Sequence, residues 1–263
     1  MLSRFLRELQ YLFYRWRHPK RHQFFAEPHY FIDAGYIAIG RNYEKNHRQS
    51  RTFNERESRT DMRELDFAHT LLLGVIASVL ENNNGKKIPT SDEVISRRFV
   101  ITAAIIQGIF LCERAILQGE YLQAGALIRQ EYEALTLLSE IREKRRKDGV
   151  QANAKYAPWK GSRHYGELSS FAHLSDHRVL DSLIGYNTSW GDFAATVPQY
   201  QKVNGSRMYA RHIAYLLGLL EELRALYKEM YNYECSQREI EVIDNAFSIL
   251  VKHGVFKTPT SKN

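Results

Sequence analysis

The sequence predicts an all-α protein, a bundle of roughly six or seven helices. Three observations carry this. Apolar residues recur at helical spacing through long stretches of the 263-residue chain. Helix-starting and helix-ending chemistry separates those stretches. Strand-like alternation is confined to Tyr30–Gly40, where a small β-hairpin around Gly35 is expected.

Taken in order, residues 2–17 form an amphipathic helix, with Leu2, Phe5, Leu6, Leu9, Leu12, Phe13 and Trp16 on one side, limited by Pro19. Arg41–Thr60 is almost free of apolar residues and reads as a solvated helix, a linker or a mobile loop. A helix starting near Thr60 or Asp61 carries the stripe Leu65, His69, Leu72, Ile76 and Val79 and ends in the turn residues Glu81–Lys87. Ser91, Asp92 and Glu93 open a helix to about Gln118, rich enough in Val, Ile, Ala and Phe to be deeply buried. Gly119 breaks it before Tyr121–Glu143, the clearest helix of the chain and its expected centre, striped by Ala124, Leu127, Ile128, Leu135 and Leu138. A short helix reaches Ile184, capped by Ser175 or Asp176, and Gly185–Gly205 reads as a long loop. Ser206 is expected to cap a long helix to about Tyr231. A last helix, Ser236–His253, has Gly254 as its C-cap. The domain organisation is then a basic N-terminal extension over residues 1–60, a helical bundle over 61–253 and a tail over 254–263.

Composition bounds the class. With 44% hydrophobic residues the chain can build a substantial core. Two cysteines make no disulfide framework and point to a reducing, cytoplasmic setting. The longest apolar run, Leu71–Leu80, is far short of the ~20 residues of a membrane span, so no transmembrane segment is expected. Net charge is +7. Residues 1–63 hold 13 Lys/Arg against 7 Asp/Glu, so nearly all of the excess lies there. Arg4, Arg7, Arg15, Arg17, Lys20, Arg21, Arg48 and Arg51 are the candidate contacts to RNA or DNA; an acidic membrane surface or a partner protein suits the same charge.

Two stretches carry candidate chemistry. On the Tyr121 helix, Arg129 and Glu133 sit one turn apart between Leu122, Ala126 and Leu137. A charged pair among apolar neighbours must be paired or used. In Arg163–Asp176, residues Tyr165, Ser169 and His173 lie four apart on one inward-turned face with Leu168 and Ala172. The two sets are expected to meet.

The pattern L-I-R-x-x-x-E, here Leu127, Ile128, Arg129 and Glu133, followed by Y-x-x-L-S-x-x-x-H, here Tyr165, Leu168, Ser169 and His173, resembles a helical family of bacterial proteins of unknown function that is grouped with HEPN-like domains. The resemblance covers about residues 95–230. It implies a helical bundle, often homodimeric, and a metal-independent ribonuclease of a toxin or antiviral defence system. The HEPN motif is Arg, four to six residues, then His. Arg207–His212 meets it late in the chain at the start of a clear helix, with His212 on the inner stripe. Arg63–His69, Arg41–His47, Arg15–His22 and Arg17–His22 meet it too, whereas His173 has no Arg at that spacing.

In a ribonuclease site a His near neutral pKa takes the proton from a ribose 2′-OH. An Arg holds the phosphate. Tyr165 orients or donates, and Glu133 holds Arg129 or the His. The competing expectation is a non-catalytic interaction module in which the Arg/Glu/His cluster only locks the bundle. No cofactor is expected, and no metal. His173 and His177 are four apart, but Asp176 stands where the inverted zinc motif has Glu, and Glu44–His47 is a single Glu-x-x-His where di-iron bundles use two.

Overall fold

A computed structural model describes residues 34–87, 92–147, 149–157, 165–169, 177–188 and 191–256. The amphipathic stretch 2–17, the cations Arg4 to Arg21 and His173 lie outside the described residues. The fold is an all-α, multi-helix bundle. Its helices are α1 (Ala34–Asp61), α2 (Arg63–Glu81), α3 (Glu93–Leu117), α4 (Tyr121–Arg142), α5 (His177–Ile184), α6 (Lys202–Tyr231) and α7 (Gln237–Lys252), with a 3-10 turn at Ala154–Tyr156. The chain divides into two compact units, Met1–Ser50 and Arg51–Asn263.

The hairpin lies elsewhere than expected. Ala34–Gly40 is helical, and Gly40 has open space around it, so a glycine is tolerated there without a packing reason. The only strands among the described residues are β1 (Gly185–Thr188) and β2 (Gly191–Ala194), an antiparallel pair with Gly185 opposite Ala194 and Thr188 opposite Gly191. They occupy the stretch read as a loop, which carries the strand formers Tyr186, Thr188 and Phe193.

In the first unit, the α1 residues up to Ser50 are mostly exposed and support themselves one turn at a time: His47 bonds the Tyr43 hydroxyl at 3.0 Å, and Arg48 pairs with Glu44.

In the second unit, polar rather than apolar side chains fix residues 51–61. Ser58 Oγ donates to the Leu117 carbonyl at 2.9 Å, and Asn54 Nδ2 donates to Gln118 O at 2.9 Å and Pro198 O at 3.0 Å. Carbonyls at the end of α3 thus find donors in a neighbouring helix. Gly119 is required at this corner: its φ is +77°, and a Cβ would stand 2.7 Å from Asn54 Nδ2.

The hub is α6, not α4. It packs against α2, α3, α4 and α7, while α4 packs chiefly against α3 and α6. Leu216, Leu219, Leu220 and Leu226 of α6 are fully buried with Leu65, Leu72 and Val79 of α2 and Ala124, Ile128 and Leu138 of α4. This helix starts at Lys202, four residues ahead of Ser206, and its first flanking residue, Gln201, is held by another helix. The Gln201 N–H donates to the Tyr121 hydroxyl at 2.9 Å, and that hydroxyl donates to Gln201 O at 3.2 Å. Gly205 leaves room for the same ring; a Cβ there would lie 3.1 Å from the hydroxyl.

Other ends follow the sequence. Asp92 caps α3 by accepting from Val94 N–H, and Ser236 opens α7 with a capping box to Glu239. Gly254 ends α7 at φ +73°. Helix α3 is less buried than expected: Val100, Phe110 and Leu111 are exposed. By length and composition α3 is the one described helix able to cross a membrane, whereas Leu71–Leu80 of α2 buries Leu72, Val75, Ile76 and Val79. Its other face, Thr102, Ile105, Ile109 and Cys112, lies in the core.

Candidate functional site

Two polar groupings stand out. The first is on α4, where Arg129 and Glu133 share a half-buried line with Leu122, Ala126 and Leu137. Arg129 Nε donates to Glu133 Oε1 at 2.8 Å, and Nη2 donates to the Tyr165 hydroxyl at 3.2 Å, with the guanidinium 5.3 Å from the Tyr165 ring centre. Gln151, from the link after α4, donates to Glu133 Oε1 at 3.0 Å and to the Tyr165 hydroxyl at 2.7 Å. Residues 165–169 are helical, and the fully buried Leu168 anchors them. Ser169 is half-buried one turn after Tyr165. The Arg129 side chain is 11% exposed and that of Glu133 30%, so the group lies at the edge of the bundle. Tyr132, 6.0 Å ring to ring from Tyr165, is pushed up to about 12, chiefly by burial.

The Tyr165 oxygen therefore receives two donors and keeps its own hydrogen for a further acceptor. One guanidinium, one carboxylate and one hydroxyl converge from segments far apart in sequence. That is a set able to hold an oxyanion and to move a proton.

Arg207 and His212 do not join this group or each other. Five residues along a helix turn the side chain by about 140°. Arg207 is exposed and pairs with Glu167 at 2.8 Å, beside Arg211 at 3.0 Å. His212 points inward, with no exposed surface, and its Nδ1 lies 2.9 Å from Glu131.

His212 belongs to the second grouping, a polar cluster inside the bundle. Its ring lies 5.3 Å from that of His69 on α2, and the Tyr209 ring stacks 6.3 Å away. The Tyr209 hydroxyl donates to Asp66 at 3.2 Å and to Glu113 at 3.4 Å. Arg59 pairs with Asp66 at 2.8 Å, and His69 Nδ1 lies 3.6 Å from Glu113. Burial first, then the charges of His212 and Arg59, holds the His69 pKa down at about 3. Burial pushes the Glu113 carboxyl up and, with Glu131 beside it, the Cys112 thiol well up. The Nε2 atoms of His69 and His212 have no hydrogen-bond partner.

Sequence reading missed Glu131, Arg98 and Glu222. The signal was there: Glu131 falls on the Ile128–Leu135 stripe, and Arg98 leads the stripe Thr102, Ile105, Ile109, Cys112. Arg98 is 2% exposed, 2.6 Å from Glu229 and 3.8 Å from Glu222, which also pairs with Arg142. Of the candidate nucleic-acid contacts, Arg48 is exposed, and Arg51 pairs with Glu120 at 2.5 Å.

Comparison with family models, curated proteins and solved structures finds no match to this chain.

Proposed function

We propose that this chain is a homodimeric, HEPN-like effector that processes RNA without a catalytic metal, with Arg129, Glu133 and Tyr165 as its site. The observation that carries the reading is the convergence of these side chains, from helix α4 and residues 165–169, at the edge of the bundle. Arg129 holds the phosphate, Tyr165 donates its free hydrogen to an oxygen of the phosphodiester, and Glu133 fixes the guanidinium. His173, four residues beyond Ser169 in the sequence, is the candidate base. Arg207 and His212 are left out, because His212 is sealed and Arg207 already faces Glu167. The test is cleavage of single-stranded RNA by the full chain with no divalent ion added. Arg129→Lys keeps the charge but loses the planar fork, and is expected to lose cleavage while keeping its helical spectrum.

A second reading is favoured by one observation: the Arg129 side chain is already engaged by Glu133 and Tyr165 at 11% exposure. In that reading the chain is a non-catalytic interaction module and the cluster locks residues 165–169 to α4.

A further inference from the structure

The centre of the second unit holds an arrangement that the RNA reading does not use and on which it does not depend. Three helices each contribute one metal-ligating side chain to the same space: Cys112 from α3, Glu131 from α4 and His212 from α6. All are buried, and their donor atoms lie within 4.8 Å of one another. Zinc bonds of about 2.0–2.3 Å at tetrahedral angles set donors roughly 3.3–3.8 Å apart, so the cluster has to close by no more than about 1.5 Å. His212 Nδ1 and the Glu131 carboxylate, at 2.9 Å, already stand closer than that.

A second observation points to a ligand. The Nε2 atoms of His212 and of His69 are buried with no hydrogen-bond partner, and the two rings are 5.3 Å apart. Buried polar nitrogens without partners are rare and cost free energy. His212 faces Glu131 through Nδ1, so an ion between Cys112 and Glu131 takes that nitrogen in place of its hydrogen bond, and the unpartnered Nε2 of His69 is a further lone pair on the neighbouring ring.

We propose that Cys112, Glu131 and His212 bind a zinc ion that ties α3, α4 and α6 together, with His69 on the neighbouring ring as a further donor. A thiolate with an imidazole selects zinc over magnesium or calcium, which take oxygen ligands. The closed surroundings suit a structural ion rather than one that activates water. As the zinc–sulfur bond forms, the Cys112 proton leaves to solvent. The two positive charges of the ion then face one thiolate and one carboxylate, leaving the site neutral.

The test uses the full chain, expressed with added zinc, dialysed, and assayed for zinc by plasma mass spectrometry. A second sample is refolded with cobalt(II) alone. The expected result is stoichiometric zinc and a near-ultraviolet thiolate-to-cobalt band. Cys112→Ala loses both, and Cys235→Ala, which removes the half-buried second thiol, keeps both. Cys112→Ser preserves the volume and replaces the alanine variant if that one does not fold. Wild-type protein that carries no zinc and gives no cobalt band overturns the proposal. So does a cobalt band that survives the loss of Cys112.

Discussion

At the scale of single residues, Arg98 is a buried cation whose loss strands a buried carboxylate. Its guanidinium is 2% exposed and faces Glu222 and Glu229. Removing one partner of a buried ionic group leaves the other uncompensated, so Arg98→Ala is expected to cost roughly 3–5 kcal/mol in urea unfolding, with the retained Arg142 pair keeping it near the lower figure. Burial, against the pull of Arg142 and Arg98, raises the Glu222 carboxyl above its ordinary 4.5. A raised folded-state pKa contributes stability that is present below the unfolded value and is lost as pH rises through the folded one. Wild type is therefore expected to lose stability relative to Glu222→Gln as pH climbs from 4.5 through the raised value, and Arg98→Ala to lose it more steeply. Urea midpoints over a pH series measure both, and a parallel pair of curves for wild type and Glu222→Gln counts against the account.

Among the helices, α7 buries Ala246 and Leu250 in the core and ties its start to α2 through one carboxylate. Glu239 accepts from Ser236 N–H at 2.7 Å, from Ser78 of α2 at 2.7 Å and from Tyr233 at 3.0 Å. Ser236→Ala removes only the local cap and is expected to cost about 1 kcal/mol. Glu239→Ala also strands the α2 bond and is expected to cost more than Ser236→Ala in the same urea titration. Helix ends closed by local residues, such as Asp92, Ser236 and Gly254, were legible in the sequence. The start of α6 was not, since Tyr121 holds the backbone of Gln201 from eighty residues away. The site divides the same way. Arg129 and Glu133 stood out as charges in an apolar setting, and their meeting with Tyr165 follows from two helical faces that both turn inward. Glu131 lay unnoticed on a stripe whose other members are ordinary core residues, and its partner His212 is paired across helices that periodicity cannot bring together. The hairpin expected around Gly35 is not found over the described residues Ala34–Gly40, where the glycine is absorbed into a helix that continues to Asp61.

For the molecule as a whole, the apolar balance leaves surface uncovered. Val100, Phe110 and Leu111 of α3 are 65%, 58% and 56% exposed, and Phe67 of α2 is 58% exposed. Large apolar side chains left in water, Phe110 and Leu111 side by side in sequence among them, support the proposed homodimer. Light scattering at micromolar concentration is expected to return twice the 30.7 kDa chain mass. Replacing Phe110 and Leu111 by Asp and Lys is expected to return the chain mass if this face is the one covered. A wild-type monomer contradicts the dimer.

The central claim is that Arg129, Glu133 and Tyr165 form a site rather than a lock, and Tyr165→Phe tests it most directly. The change removes one hydroxyl and keeps the ring that packs under Arg129 and beside Tyr132. RNA cleavage and thermal unfolding are measured on the same preparation. The account predicts a melting curve close to that of wild type and a cleavage rate lower by about 10²–10⁴-fold, the usual worth of a positioned proton donor. A variant that cleaves RNA at the wild-type rate, or a wild type that cleaves none while the variant melts well below it, contradicts the account.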